Sequence, residues 1–162
     1  MDQISEKRLK DLHPLLVRKI QQLVDILACE TPPINLRITQ GFRSWAEQAQ
    51  LYAQGRSEPG KVVTNAEPGH SWHQYGLAVD VVPLGLEGQP DWNIQHPVWQ
   101  RIVAAGTSLG LVAGAEFRSF PDYPHFQLTG RLPVSPDIEV RESFGQSGIP
   151  GIWKESGLEE NA

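Results

Sequence analysis

Leu16, Ile20, Leu23, Val24 and Leu27 recur at intervals that place them on one face of a helix, with Pro14 near its first turn. Thr31-Pro32-Pro33 ends that helix, because a proline biases the residue before it away from helical backbone. A short strand is expected over Leu36 to Thr39. Ser44 with Glu47 three residues later then forms a capping box that opens a helix running to about Ala53, before Gly55. Residues 55–69 are rich in Gly, Pro, Ser, Asn and Thr and predict a long loop with at most a short strand at Val62-Val63; loops of that length in a compact domain are usually functional. The run Leu77-Ala78-Val79-Asp80-Val81-Val82 is short, β-branched and almost continuously apolar, as for a strand covered on both faces. Pro97 opens a further helix through Val98, Ile102, Val103 and Leu109, closing at Gly110, with a strand at Leu111-Val112 beside it. A loop from Gly114 to Pro124 leads into a last strand, His125-Phe126-Gln127-Leu128. Beyond Pro133, Phe144, Ile149 and Trp153 among polar residues suggest a small helical cap. With 162 residues and neither an internal repeat nor a linker, the expected organisation is a single domain, residues 1–133 carrying the chemistry and residues 134–162 forming a tail packed on it.

Composition narrows the function. At 40% hydrophobic and 20% charged, the chain is an ordinary globular protein that needs no staples. Its 14 Lys and Arg against 19 Asp and Glu give a formal charge of -5, which lacks the basic footprint of phosphate-backbone binding, so no nucleic-acid partner is expected. One cysteine, Cys29, makes neither an internal disulfide nor a thiolate metal site and is expected as a small buried hydrophobe. The first residues show no basic segment followed by an apolar run, and no stretch approaches the roughly 18 apolar residues of a membrane span. Cytoplasmic synthesis without a signal peptide is the expectation, for a chain read as a monomer.

The densest cluster of chemistry is Ser71-Trp72-His73-Gln74-Tyr75-Gly76-Leu77-Ala78-Val79-Asp80. A bend at Gly76 would bring the His73 imidazole to the Asp80 carboxylate. A carboxylate inside an apolar strand is heavily penalised by desolvation unless it is paired, metal-bound or capped by backbone donors. His125, at the start of the last strand, offers a third ligand. Two histidines and a carboxylate form a frequent catalytic zinc set with one position left for water. Asp122, three residues before His125, reads either as the general base and acid for that water or as a solvated loop aspartate. Arg43, at a strand-to-helix junction, reads as a donor to a developing oxyanion or substrate carboxylate, or as a surface arginine. His70 is expected to be exposed or behind the ligands, His96 to enter a helix and His13 to lie on a helix surface. Trp72, Tyr75, Trp92 and Trp99 could line a groove, although aromatics at such positions are more often core.

Together these residues are recognisable. Gly41-Phe42-Arg43-Ser44 with Glu47-Gln48, Leu51-Tyr52-Ala53-Gln54-Gly55-Arg56, Thr64-Asn65-Ala66, the Ser71-x-His73-x-x-Gly76-x-Ala78-x-Asp80 series and Asp122-x-Pro124-His125-Phe126 resemble the zinc L-alanyl-D-glutamate peptidases. These are peptidoglycan endopeptidases found as phage endolysins and bacterial autolysins, related to D-alanyl-D-alanine carboxypeptidases. The resemblance spans roughly residues 5 to 133. It implies an α+β fold of the D-Ala-D-Ala-peptidase/Hedgehog-like kind, a small antiparallel sheet flanked by helices. It further implies zinc on His73, Asp80 and His125, Asp122 as acid/base, Arg43 stabilising the transition state, and Ser71 orienting the first histidine or contacting substrate. One departure is Gly114-Ala115-Glu116-Phe117, where relatives often carry Gly-Gly and a tryptophan; it touches the substrate groove rather than the metal site. The expected substrate is bacterial peptidoglycan, cut between L-Ala and D-Glu and reached after the membrane is permeabilised. The rivals are a D-alanyl-D-alanine carboxypeptidase on the same scaffold and a non-catalytic, zinc-dependent wall-binding module.

Overall fold

The computed structural model describes residues 1–158. Five helices surround one four-stranded sheet: α1 Gln3–Arg8, α2 Pro14–Ala28, α3 Trp45–Ala53, α4 Val98–Ser108 and α5 Ile138–Ser156, with β1 Leu36–Gln40, β2 Ala78–Pro83, β3 Val112–Ala113 and β4 His125–Gln127. The sheet order is β1-β2-β4-β3 and its three pairings are antiparallel, the α+β arrangement expected. Two short 3-10 turns, Trp72–Tyr75 and Gly114–Glu116, precede β2 and follow β3.

The apolar face of α2 does what its periodicity predicts. Leu16, Ile20, Leu23 and Leu27 pack with Trp99 and Ile102 of α4 against Ile38, Val79, Val81 and Phe126 of the sheet. Gly106 lets α4 approach closely, since a Cβ there would come within 2.3 Å of the Phe126 ring. A second apolar cluster lies beyond the turn before β2, where Trp72, Tyr75, Leu77 and Ala78 bury Val140 and Ile152 of α5. α5 is two helical pieces joined at Gly148, whose φ of 63° and ψ of -165° break the helix just ahead of Pro150. β2 is thus covered on both faces, as its apolar run requires.

α1, capped by Asp2 but marked by no apolar periodicity, is held by the edge of β1. The buried Ser5 hydroxyl accepts from the Ile38 amide at 2.9 Å, and the Arg8 guanidinium donates to the Ile38 and Thr39 carbonyls. These contacts occupy groups that an edge strand would otherwise present for pairing. The capping box forms as read: the Ser44 hydroxyl accepts from the Glu47 amide, and the Glu47 carboxylate accepts from the Ser44 amide at 2.7 Å.

Several expectations are corrected. Val62 and Val63 form no strand and are half exposed, because Arg56 curls the segment back onto α3 by donating to the Tyr52 carbonyl, the Thr64 carbonyl and the Asn65 side chain. His13 is buried rather than on a helix surface: it caps α2 by accepting from the Leu15 amide, and its ring meets Trp153 edge to face at 4.9 Å. Cys29, just past the last turn of α2, is exposed. Trp72, Tyr75 and Trp99 belong to the core, whereas Trp92 is exposed. No helix among the described residues is long and apolar enough to cross a membrane.

Candidate metal centre and its cleft

Antiparallel pairing sets Asp80 of β2 directly opposite His125 of β4, so both side chains rise from one face of the sheet. The third member arrives through a turn. Gly76 ends the Trp72–Tyr75 turn with φ 68° and ψ 24°, a left-handed conformation that suits glycine, and the chain doubles back so that His73 overhangs the start of β2. A Cβ on Gly76 would also lie 2.7 Å from the Asp11 carbonyl oxygen. As a result, Asp80 Oδ1 sits 3.1 Å from His73 Nε2 and 3.3 Å from His125 Nδ1. The three candidate ligand atoms all lie within 4.8 Å of one another.

Each imidazole is held from behind. His73 Nδ1 is 2.8 Å from the Gly41 carbonyl oxygen, which only accepts, so Nδ1 carries a proton and Nε2 is the nitrogen turned toward Asp80. Gly41 is needed there because a Cβ would fall 1.7 Å from the Arg8 carbonyl oxygen. His125 Nε2 lies 3.0 Å from Gln127 Oε1, which leaves Nδ1 facing the same carboxylate. Two ring nitrogens and a carboxylate oxygen converging in a buried site must share protons or a cation, and Asp80 accepts from the imidazoles when they are protonated. Bonds of about 2.0–2.2 Å to a tetrahedral zinc would place such ligand atoms roughly 3.3–3.6 Å apart. The donor set therefore fits a metal such as zinc.

The other residues singled out from the sequence gather round this triangle. Arg43 donates from Nη1 to Gln48 Oε1 at 2.9 Å, and its Nη2 lies 3.7 Å from Asp80 Oδ2. Its Nε is buried without a protein partner. Gln48 in turn donates to the Ala66 carbonyl at 2.7 Å, tying the long loop to the arginine. Asp122 is positioned by a tight turn: its amide donates to the Gly114 carbonyl and its carbonyl accepts from the His125 amide. Gly114 is the floor of that turn, since a Cβ would come within 2.6 Å of the Asp122 carbonyl oxygen and 2.8 Å of His125 Cβ. Ser71 lines the cleft at the head of the turn that carries His73. His70 is exposed at the same rim, and His96 caps the entry to α4 by accepting from the Val98 amide.

The cleft has a volume of about 720 Å³. Its floor is the histidine and aspartate cluster; its walls come from residues 63–66 on one side and 117–120 on the other, with Val134, Ser135 and Pro136 closing an end. Charge inside it is strongly perturbed. Burial works to raise the Asp80 carboxyl, yet His73 and His125 hold it well below the usual carboxylate range. For His125 burial acts in the opposite sense, but the Asp80 hydrogen bond and charge raise it. Asp122 is pushed up, first by burial and then by the Asp80 charge, against the pull of His125, His73 and Arg43. A carboxyl raised in this way beside a candidate metal position has the character of a proton-transfer group.

Gly41 and Gln48 stand in the motif that carries the family resemblance, but the sequence assigns them no role, and Gln127 is not singled out at all. Its cue is a polar residue at the second position after His125 in a buried strand, since alternation places both on the same face.

The chain belongs to the VanY D-alanyl-D-alanine carboxypeptidase family, whose model matches residues 9–113. The match includes Arg43, His73 and Asp80 and ends before Asp122 and His125. The chain is 36% identical over 127 residues to the peptidoglycan L-alanyl-D-glutamate endopeptidase CwlK of Bacillus subtilis, covering 73% of this chain and 74% of that protein. It is 33% identical over 124 residues to the L-alanyl-D-glutamate peptidase of Escherichia phage T5, covering 74% and 82%. Among solved structures, the L-Ala D-Glu endopeptidase ChiX of Serratia marcescens superposes with a TM-score of 0.59 at 27% identity, over 80% of this chain and 89% of that one.

Proposed function

We propose that this protein is a zinc peptidase that hydrolyses the stem peptide of bacterial peptidoglycan between L-Ala and D-Glu. The observation that carries the reading is the buried His73, Asp80 and His125 triangle, with Asp122 and Arg43 set around it in one cleft. His73, Asp80 and His125 would hold the metal. When bound, zinc supplies a Lewis acid for the scissile carbonyl and lowers the pKa of water towards about 7. Asp122 takes the proton from the attacking water and returns it to the leaving amine, a role suited to a carboxyl already raised by burial. Arg43, fixed by Gln48 and with its Nη2 3.7 Å from Asp80 Oδ2, balances negative charge developing on the carbonyl oxygen. Ser71 on the cleft wall contacts the substrate. The two relatives named as L-alanyl-D-glutamate peptidases support the choice of bond. As in a phage lysin, the enzyme would reach the wall once the membrane is permeabilised.

The family description itself supports a second reading, a carboxypeptidase removing terminal D-Ala. Mass spectrometry of purified peptidoglycan digested by the zinc-loaded protein separates the two. Newly freed D-Glu amino termini are expected. Loss of terminal D-Ala would instead establish the carboxypeptidase, and an unchanged digest would overturn both.

A further inference from the structure

His125 differs from His73 in what stands behind it. The Gly41 carbonyl holds His73 directly, whereas His125 leans on the side-chain amide of Gln127, and an amide can be turned either way round. What decides its orientation lies further along the chain. Gln127 Nε2 donates to the Val134 carbonyl oxygen at 2.8 Å, and that carbonyl also accepts from the Trp72 indole Nε1 at 2.9 Å. A backbone carbonyl only accepts, so the amide nitrogen must face Val134 and Oε1 must face His125. An oxygen at that point demands a proton on His125 Nε2, which leaves Nδ1 as the nitrogen turned to Asp80. Gln127 and Trp72 are each 2% exposed, so both groups depend mainly on these protein partners.

We propose that Gln127 is a positioning residue, oriented by the Val134 carbonyl, that selects Nδ1 of His125 as the metal-facing nitrogen. The Val134 carbonyl, between β4 and α5, therefore helps to set the metal centre, in a segment that also walls the cleft. The inference rests on the reading of His73, Asp80 and His125 as ligands. Outer partners of ligating histidines typically change metal affinity about 10–100-fold when removed.

The test is zinc affinity, measured by competition with a chromophoric chelator for the full chain and two variants. Gln127→Met keeps the length and burial but offers no good acceptor, and is expected to weaken zinc binding about 10–100-fold. Gln127→Glu keeps an acceptor for His125 but sets a second acceptor against the Val134 carbonyl, and is expected to lose less zinc affinity than Gln127→Met. Unchanged affinity in Gln127→Met would overturn the proposal, and so would equal losses in both variants, which would mark Gln127 as packing alone. If neither variant folds, long-range proton–nitrogen NMR of the zinc-loaded parent decides: a proton on His125 Nε2 supports the proposal and one on Nδ1 overturns it. Zinc bound as described by a protein that cleaves no peptidoglycan would sink the functional reading and leave this inference standing.

Discussion

The floor and the walls of the cleft are built by opposite rules. On the floor, His73 and His125 are 2% and 8% exposed, each ring nitrogen faces a named partner, and the strands beneath are packed on both sides. On the walls, Val63 is 50% exposed and Phe120 57%, in segments without regular secondary structure. A site that must hold metal ligands to within tenths of an ångström needs elements whose positions are over-determined by core packing. Surfaces that grip a branched, variable polymer are better placed on loops, where sequence changes leave the ligands undisturbed. Arg56 and Gln48 join the two regimes: they fasten residues 64–66 to α3 and to Arg43, so the wall keeps a fixed footing beside the floor.

Breaking the floor should have the largest consequence. His73→Ala or Asp80→Ala removes a proposed ligand, so metal content should fall to background and hydrolysis by more than about 10³-fold, as expected when a Lewis acid worth several kcal/mol is lost. Elemental analysis alongside a peptidoglycan turbidity assay reads both. Next comes the packing under the floor. Phe126 is fully buried between His125 and Gln127 in β4, and Phe126→Ala should cost about 3–5 kcal/mol in chemical denaturation. A loss below about 1 kcal/mol would show that the floor is not held by that core.

The same substitution on a wall should behave differently. Phe120→Ala is expected to change stability by no more than about 0.5 kcal/mol while raising KM for peptidoglycan. A stability loss matching that of Phe126→Ala would abolish the distinction between the two regions. The smallest effect is expected far from the cleft, at Asp2. Burial opposes ionisation there, but the Ser5 amide and hydroxyl and the Arg37 guanidinium lower the carboxyl from 3.8 to about 2. Because the folded value is the lower one, this contribution is present above about pH 4 and lost as pH falls towards 2. Asp2→Asn should flatten stability across that window and leave hydrolysis at neutral pH unchanged. Partial exposure keeps the effect small, and a pH titration of the unfolding midpoint measures it.

How much of this could be read from the sequence follows the same division. Long amphipathic elements such as α2, and the capping box of α3, declare themselves because their causes are local. So does part of the candidate cluster: a histidine before a glycine turn and a carboxylate inside an apolar strand lie close in sequence, whereas the pairing of β2 with β4 that sets His125 opposite Asp80 joins distant residues and has no local signal. What stayed hidden depends on partners distant in the chain. α1 is six residues long and rests on the edge of β1, a contact no periodicity encodes. His13 before Pro14 looks like a surface residue until Trp153, at the far end of the chain, covers it. Val62-Val63 has the composition of a strand but finds Arg56 instead of a sheet edge. Gln127 acts through a backbone carbonyl, and a backbone carbonyl has no letter in the sequence.

Asp122 is proposed to move the proton without holding the metal. Asp122→Asn in the zinc-loaded protein, with metal content and release of D-Glu amino termini measured on the same sample, addresses this directly. Zinc should stay at the level of the parent while hydrolysis falls about 10²–10⁴-fold, the range expected for loss of a general acid/base. Full activity in the variant, or zinc lost together with activity, would contradict the role assigned to it.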